Sequence, residues 1–400
     1  MEDFEIKEID SSRNRVEGAQ ITAIGVGGGG GNMINHMMTE NNVDIHLIAA
    51  NTDAQALSTN MASSKLQLGI SATRGLGAGM QPSKGQEAAL ESFDETKKAL
   101  DGSDIVFISA GLGGGTGTGA APIIAQAAKE VGALTVSVVT TPFRFEGKKR
   151  TKLAMEGLEE LKDASDCIII IPNERLLSIV EKNLGMKESF RLVDNILSQA
   201  VGGISNVILS HGENDINLDF ADVKTVMSHR GMALMGVGHS SGGGAAINAA
   251  KMAIESPLLN DVSINGAMGI LVHFHIHPDY PMLEMSDAME TIEENADEDA
   301  NVIFGTTTDE NLPIDEVQIT IIATGFEKQH NTSTKAPAPT PNRNNPRETN
   351  QPMREKSTPS NPFNREKMVV NGYNNNSNSA SAVNSDDHLD IPTFLRRQMD

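Results

Sequence analysis

Tryptophan is absent from this 400-residue chain, tyrosine occurs twice and cysteine once. A single thiol, Cys167, excludes an intrachain disulfide and fits a reducing compartment. With no Trp and two Tyr there is little for nucleobases to stack on. Basic residues are also short: 32 Lys and Arg stand against 53 Asp and Glu, a net charge of -21. Most of such a surface repels a polyanion, so no nucleic-acid partner is expected. No apolar run approaches the roughly 18 residues of a membrane span. The start, Met1-Glu-Asp-Phe-Glu5, lacks a signal-peptide pattern. The expectation is a cytoplasmic protein that does not itself insert into a membrane.

What the chain has in quantity is glycine, 37 residues of it. Six fall within the nine residues Gly111-Leu-Gly-Gly-Gly-Thr-Gly-Thr-Gly119. Ile105-Val-Phe-Ile-Ser-Ala110 before them has the β-branched content of a buried strand, and Ala120 to Ala128 after them reads as a helix. Ordering so many glycines costs much chain entropy, and an ordinary turn needs only one or two. Such a loop offers consecutive backbone N–H groups to an anion near a helix N-terminus. A second glycine run, Gly25-Val-Gly-Gly-Gly-Gly-Gly31, follows the strand Ala19 to Ile24 and precedes a helix through Met38.

The alternation continues. Ile45 to Ala50 is a strand leading into Asn51-Thr-Asp53, Gly75-Leu-Gly-Ala-Gly79 a loop, and 83–100 a helix. Leu134 to Val139 and Cys167 to Ile171 are further strands. Near-continuous apolar strands separated by helices predict a parallel sheet covered on both faces, with ligand at the carboxyl ends of the strands. From Lys187 to about Ser210 apolar residues recur on one helix face, giving a helix about 36 Å long despite Gly202 and Gly203. Residues 214–326 hold the strands Met268 to Ile276 and Val317 to Ala323 around an acidic helix from about Ser286, a second α/β domain. Beyond it, 327–385 is rich in Asn, Ser, Pro and Thr and predicts a disordered linker. The last residues, 386–400, turn apolar again in Ile391, Phe394, Leu395 and Met399, the pattern of a docking peptide.

Two phosphate-gripping loops call for a nucleotide. Gly25, Gly27 and Gly30 with Asp53 fit the Rossmann fingerprint, which leaves an NAD-dependent oxidoreductase open. A Rossmann site has no use for the second loop, however, and Gly147-Lys-Lys149 does not make a Walker A loop. Gly113 to Gly119 resembles the tubulin signature loop. With Ile24 to Asn32, Asn51 to Leu57, Pro142 to Arg150 and Asn217 to Asp222, the chain is similar to the FtsZ family, the bacterial tubulin-like cell-division GTPases.

That resemblance implies a tubulin-like α/β fold: a 1–18 flexible extension, a GTP-binding domain over 19–186, a central helix over 187–213 and a GTPase-activating domain over 214–326. Gly28, Gly29, Gly30, Gly31 and Asn32, with Gly115, Thr116 and Gly117, are implied to hold the phosphates of GTP. Ala78 and Gly79 approach the γ-phosphate; Thr140, Glu146 and Arg150 contact the ribose side; Asn173 belongs to the same nucleotide set. Phe190 stacks on guanine, while Asp194 accepts its N1–H and exocyclic amine, a pairing that adenine lacks. Mg²⁺ is held mainly by the phosphates and water. Asn217, Asp219 and Asp222 are implied to be catalytic, although three polar groups there also fit a turn capping a helix from Phe220. They lie past the helix end, far from Asp194, so head-to-tail stacking into a homopolymer is what brings them to a neighbour's GTP. A non-hydrolysing filament scaffold is the other reading. The tail is implied to dock on membrane-tethering division proteins at midcell.

Two features stand apart. His273, His275 and His277 alternate on one strand face, read as a solvated sheet face with a metal site as the alternative. Ser241 to Ala250 departs from the family's usual charged stretch and reads as a loop.

Overall fold

The computed structural model describes residues 18–39, 45–176, 185–209, 215–228, 231–256, 258, 259, 264 and 266–326. The expected extension up to residue 17, the linker 327–385 and the docking peptide 386–400 lie outside the described residues.

The first half alternates as the apolar pattern requires: β1 (Ile21–Val26), α1 (Gly27–Thr39), β2 (His46–Asn51), α2 (Ala54–Thr59), β3 (Ser64–Gln67), α3 (Ile70–Thr73), α4 (Pro82–Glu91), α5 (Phe93–Leu100), β4 (Ile105–Gly111), α6 (Thr116–Glu130), β5 (Leu134–Thr141), α7 (Lys148–Ala164), β6 (Cys167–Pro172) and α8 (Asn173–Leu176). These six strands are parallel in the order β3-β2-β1-β4-β5-β6. Their alternate residues feed two apolar layers: Ile21, Ala23, Phe107 and Val136 on one face, Ile24, Val26, Ile108 and Val139 on the other. Burial on both faces is why these strands read as continuous apolar runs.

The second half comprises α9 (Met186–Leu209), α10 (Phe220–Met227), β7 (Gly231–Ser241), α11 (Ala245–Ile254), β8 (Gly269–Ile276), α12 (Met282–Glu293), β9 (Asn301–Thr308) and β10 (Glu316–Thr324). β7 is shared between the halves. Gly231, Met232 and Ala233 pair parallel with Cys167, Ile168 and Ile169 of β6. Leu234 to Ser241 then pair antiparallel with β10, which pairs with β8, which pairs with β9. The result is one ten-stranded sheet.

α9 is a core helix. By length and composition it is the one described helix apolar enough to cross a bilayer, but Ala200, Val201, Ile204 and Val207 are fully buried between β5 and the second-half strands. A methyl on Gly203 would lie 3.4 Å from the Thr320 methyl. That is ordinary van der Waals contact, so the helix packs on the sheet at normal side-chain distance there.

Several expectations are corrected. The first glycine run is no loop ahead of its helix, since α1 starts at Gly27; of the second, Leu112 to Gly115 do turn ahead of the helix, but α6 starts at Thr116 rather than Ala120. The expected helix 83–100 breaks at Ser92, whose hydroxyl accepts the Gly69 N–H at 3.0 Å. The acidic helix starts at Met282 rather than Ser286. The 241–250 stretch is no loop: only Gly242 to Gly244 turn, and α11 follows, burying Ala245, Ala246, Ala249 and Ala250. Strands β3, β7 and β9 were not anticipated. Nor is the histidine row a solvated face. His273 is buried, its Nε2 2.9 Å from Thr307 Oγ1, and burial pushes its pKa down to about 3. No group of three metal-ligating side chains occurs among the described residues.

Candidate nucleotide site

The carboxyl ends of β1, β4, β5 and β6 open into a cavity of about 340 Å³. Two helices begin there. α1 contributes Gly28, Gly29 and Asn32 to the lining, and α6 contributes Thr116 and Gly117 with Gly111, Gly114 and Gly115 ahead of it. Gly115 at the α6 N-cap makes no side-chain cap bond, so the first-turn N–H groups are not claimed by a cap. Two helix N-termini converging on one cavity make an anion site. Threonines brace the loop: Thr118 Oγ1 accepts the Gly113 N–H at 2.8 Å, and the Thr52 and Thr116 hydroxyls lie 2.6 Å apart.

The opposite side of the cavity comes from the β5 exit, α7, α8 and α9. Thr140, Pro142, Glu146, Arg150, Asn173, Phe190, Val193, Asp194 and Leu197 line it. Glu146 is held at both oxygens, Oε1 accepting the Phe143 N–H at 2.9 Å and Oε2 the Arg150 guanidinium. Phe190 remains 39% exposed. Asn173 is buried with its Oδ1 unpartnered, which leaves an acceptor for a donor from outside the chain. Asp194 is half-buried in α9. Burial pushes its carboxyl up to about 6, with the nearby His36 opposing the rise.

Of the sixteen residues expected to hold nucleotide, twelve line this cavity: Gly28, Gly29, Asn32, Gly115, Thr116, Gly117, Thr140, Glu146, Arg150, Asn173, Phe190 and Asp194. Gly30 is buried behind it, where a methyl would sit 2.3 Å from the Ser109 carbonyl oxygen. Gly31 lines a neighbouring space of about 120 Å³ with Asn35, Asn51 and Asn60, and Gly28 and Asn32 border both. Ala78 packs against Gly115, and Gly79 follows with left-handed φ of 57°. Val193 and Leu197 were missed as lining residues. Their signal was the spacing around Asp194, which puts all three on one side of α9.

Asp53, the acidic residue of the Rossmann reading, is otherwise occupied: its Oδ1 accepts the Gln55 and Ala56 N–H groups as N-cap of α2. Asn217, Asp219 and Asp222 do not line the cavity. All three are exposed. Asp219 caps α10, accepting the Ala221 N–H at 3.3 Å.

Comparison with known proteins agrees with this architecture. Residues 20–181 match the model of the Tubulin/FtsZ family, GTPase domain, and residues 231–327 that of the FtsZ family, C-terminal domain. A cell division protein FtsZ of Helicobacter pylori is 49% identical over 316 residues, 79% of this chain and 82% of its own. FtsZ of M. jannaschii, solved as an empty dimer, superposes with a TM-score of 0.74 at 46% identity, covering 78% of this chain and 89% of its own. CetZ1 of Haloferax volcanii, a GDP-bound monomer, gives 0.66 at 19% identity over 77% and 95%, a likeness of fold alone.

Proposed function

Because the chain belongs to the Tubulin/FtsZ family, and within it to FtsZ, we propose that it polymerises head to tail and hydrolyses GTP at the joint between subunits. Membership makes it a cell-division GTPase. The first turns of α1 and α6 grip the phosphates through backbone N–H groups. Thr140, Glu146 and Arg150 meet the ribose. Asp194 in its ionised form accepts the guanine N1–H and amine, Asn173 Oδ1 adds an acceptor, and Phe190 covers the base. Among the described residues, the carboxylates lining the cavity are Glu146 and Asp194. With so few protein carboxylates, Mg²⁺ would be held mainly by the phosphates and water, and would supply neutralisation of phosphate charge there.

One observation carries the assembly reading: Asn217, Asp219 and Asp222 are exposed and absent from the cavity that Asp194 lines. Asp194 lies about 22 Å along α9 from Leu209 at 1.5 Å per residue, and Asn217 comes eight residues later. Groups so placed serve a second copy's nucleotide, where they orient and polarise the attacking water. A contact of this kind joins unlike surfaces and propagates as a filament. Recruitment to the division site at midcell through residues 386–400, by membrane-tethering partners, completes the reading. The test is GTP turnover per subunit against protein concentration. A steep rise above a threshold is expected; constant specific activity down to high dilution sinks the proposal.

A further inference from the structure

The loop between α3 and α4, residues 74–81, carries Gly79 and Ala78, which packs against the cavity-lining Gly115; the family resemblance implies that both approach the γ-phosphate. Both of its feet are left-handed at residues that disfavour it, Arg74 at φ 53° and Met80 at φ 58°. These are the only described non-glycine residues with positive φ. Something must hold such a segment in place.

α4 holds it at both ends. At its start, the helix meets the glycine turn of α6 backbone to backbone: a methyl on Gly119 would sit 1.9 Å from the Pro82 carbonyl oxygen, and one on Gly85 2.3 Å from that of Gly115. At its far end stands Glu91. The N-cap of α3 is Gly69, which has no side chain with which to cap it. The orphan N–H groups of its first turn are met from across instead: Ser71 N–H by Glu91 Oε1 at 2.8 Å, and Ala72 N–H by Glu91 Oε2 at 2.9 Å. The neighbouring Ser92 hydroxyl accepts the Gly69 N–H. From α3 the chain is tied onward: Thr73 Oγ1 donates to Thr52 O at 3.2 Å, Ala54 N–H to Gly75 O at 3.0 Å, and Gly77 N–H to Thr52 O at 3.3 Å.

We propose that Glu91 is a positioning residue for nucleotide discrimination: by capping α3 it fixes the first foot of the 74–81 loop, and thereby the preference for GTP over GDP. The inference rests on the nucleotide reading above. A carboxylate suits the task because one group satisfies two N–H donors, whereas an amide can accept with one oxygen only.

The test uses the full chain at high dilution with Glu91→Ala and Glu91→Gln. GDP and a non-hydrolysable GTP analogue are titrated, and amide hydrogen exchange is followed over residues 69–81. Glu91→Ala should lose about fivefold to tenfold of the preference for the GTP analogue, keep GDP affinity within about twofold, and exchange faster at Ser71 and Ala72. Glu91→Gln should fall between. An unchanged ratio of the two affinities, or an equal loss of both, overturns the proposal. If Glu91→Ala does not fold, the ratio in Glu91→Gln decides. A wild-type chain that binds neither nucleotide would sink the site reading itself, while the exchange data would still report whether Glu91 caps α3.

Discussion

Phe190 stands edge-on against Phe143, with ring centroids 5.7 Å apart and planes at 85°. Phe143 is buried and Phe190 is not, so the pair divides labour. Truncating Phe143 to Ala should cost about 3–5 kcal/mol of stability. Phe190→Ala should leave the melting temperature nearly unchanged and weaken GTP and GDP alike by about tenfold or more, the value of a lost base-stacking face. Parallel melting curves and nucleotide titrations of the two variants check this. A Phe190→Ala variant that melts early but binds normally would reverse the assignment.

The glycines of α1 should separate in the same way. A methyl on Gly28 meets nothing within 4 Å, whereas one on Gly30 would strike the Ser109 carbonyl. Gly30→Ala is expected to destabilise the fold by about 3 kcal/mol, read by denaturant unfolding. Gly28→Ala should unfold like the wild type and lose nucleotide affinity, because Gly28 lines the cavity and no chain atom lies within 4 Å of where its methyl would sit.

Acid exposes opposing titrations. The Asp194 carboxyl is raised to about 6 from 3.8, so the folded chain binds a proton there more readily than the unfolded one, and this group favours folding as pH falls through that window. His273 is lowered to about 3 from 6.5, so the unfolded chain takes that proton first and stability falls as pH drops below 6.5. Between about pH 6 and 4 the two oppose each other. Asp194→Asn should therefore be more stable at pH 7 than the wild type, lose stability more steeply on acidification, and bind guanine nucleotides poorly. In the wild type, GTP affinity should decline below about pH 6 as the acceptor is protonated. Unfolding curves across pH, with binding at pH 7 and 5, test both halves.

Asp219 holds a structural job and a proposed chemical one, and two substitutions separate them. Asp219→Ala removes the α10 cap and should cost about 1 kcal/mol. Asp219→Asn keeps a side-chain acceptor for the Ala221 N–H, so its stability should match the wild type. Both variants should bind GTP and lose phosphate release if the carboxylate works on water. Full turnover in Asp219→Asn would reduce this residue to a cap.

Much of this was legible along the chain. Strand, glycine run and helix follow one another around Gly111 and again around Gly25, and a buried parallel strand announces itself as an unbroken apolar run. Phe190 and Asp194 fall four apart, one helical turn, so the sequence already placed them together on α9. What spacing could not reveal was where each glycine helix starts. A first turn of glycine lacks the polar caps and apolar period that mark a helix, so Gly27 to Gly31 passed as loop. β7 escaped because Gly231, Gly236 and Gly238 interrupt its apolar pattern. Those gaps are set by contacts, the last two lying against the carbonyls of Ala253 and Ala249 in α11.

The sequence by itself determined the alternation of elements and the chemistry gathered at the strand ends, because both follow from local period and residue type. Only tertiary structure decided what each polar group spends its valence on. His273 lies buried against Thr307, 34 residues on, and Glu91 reaches a helix twenty residues upstream. Partners that distant in the chain leave no periodic trace. A hydrogen bond is satisfied by whatever the fold brings within 3 Å.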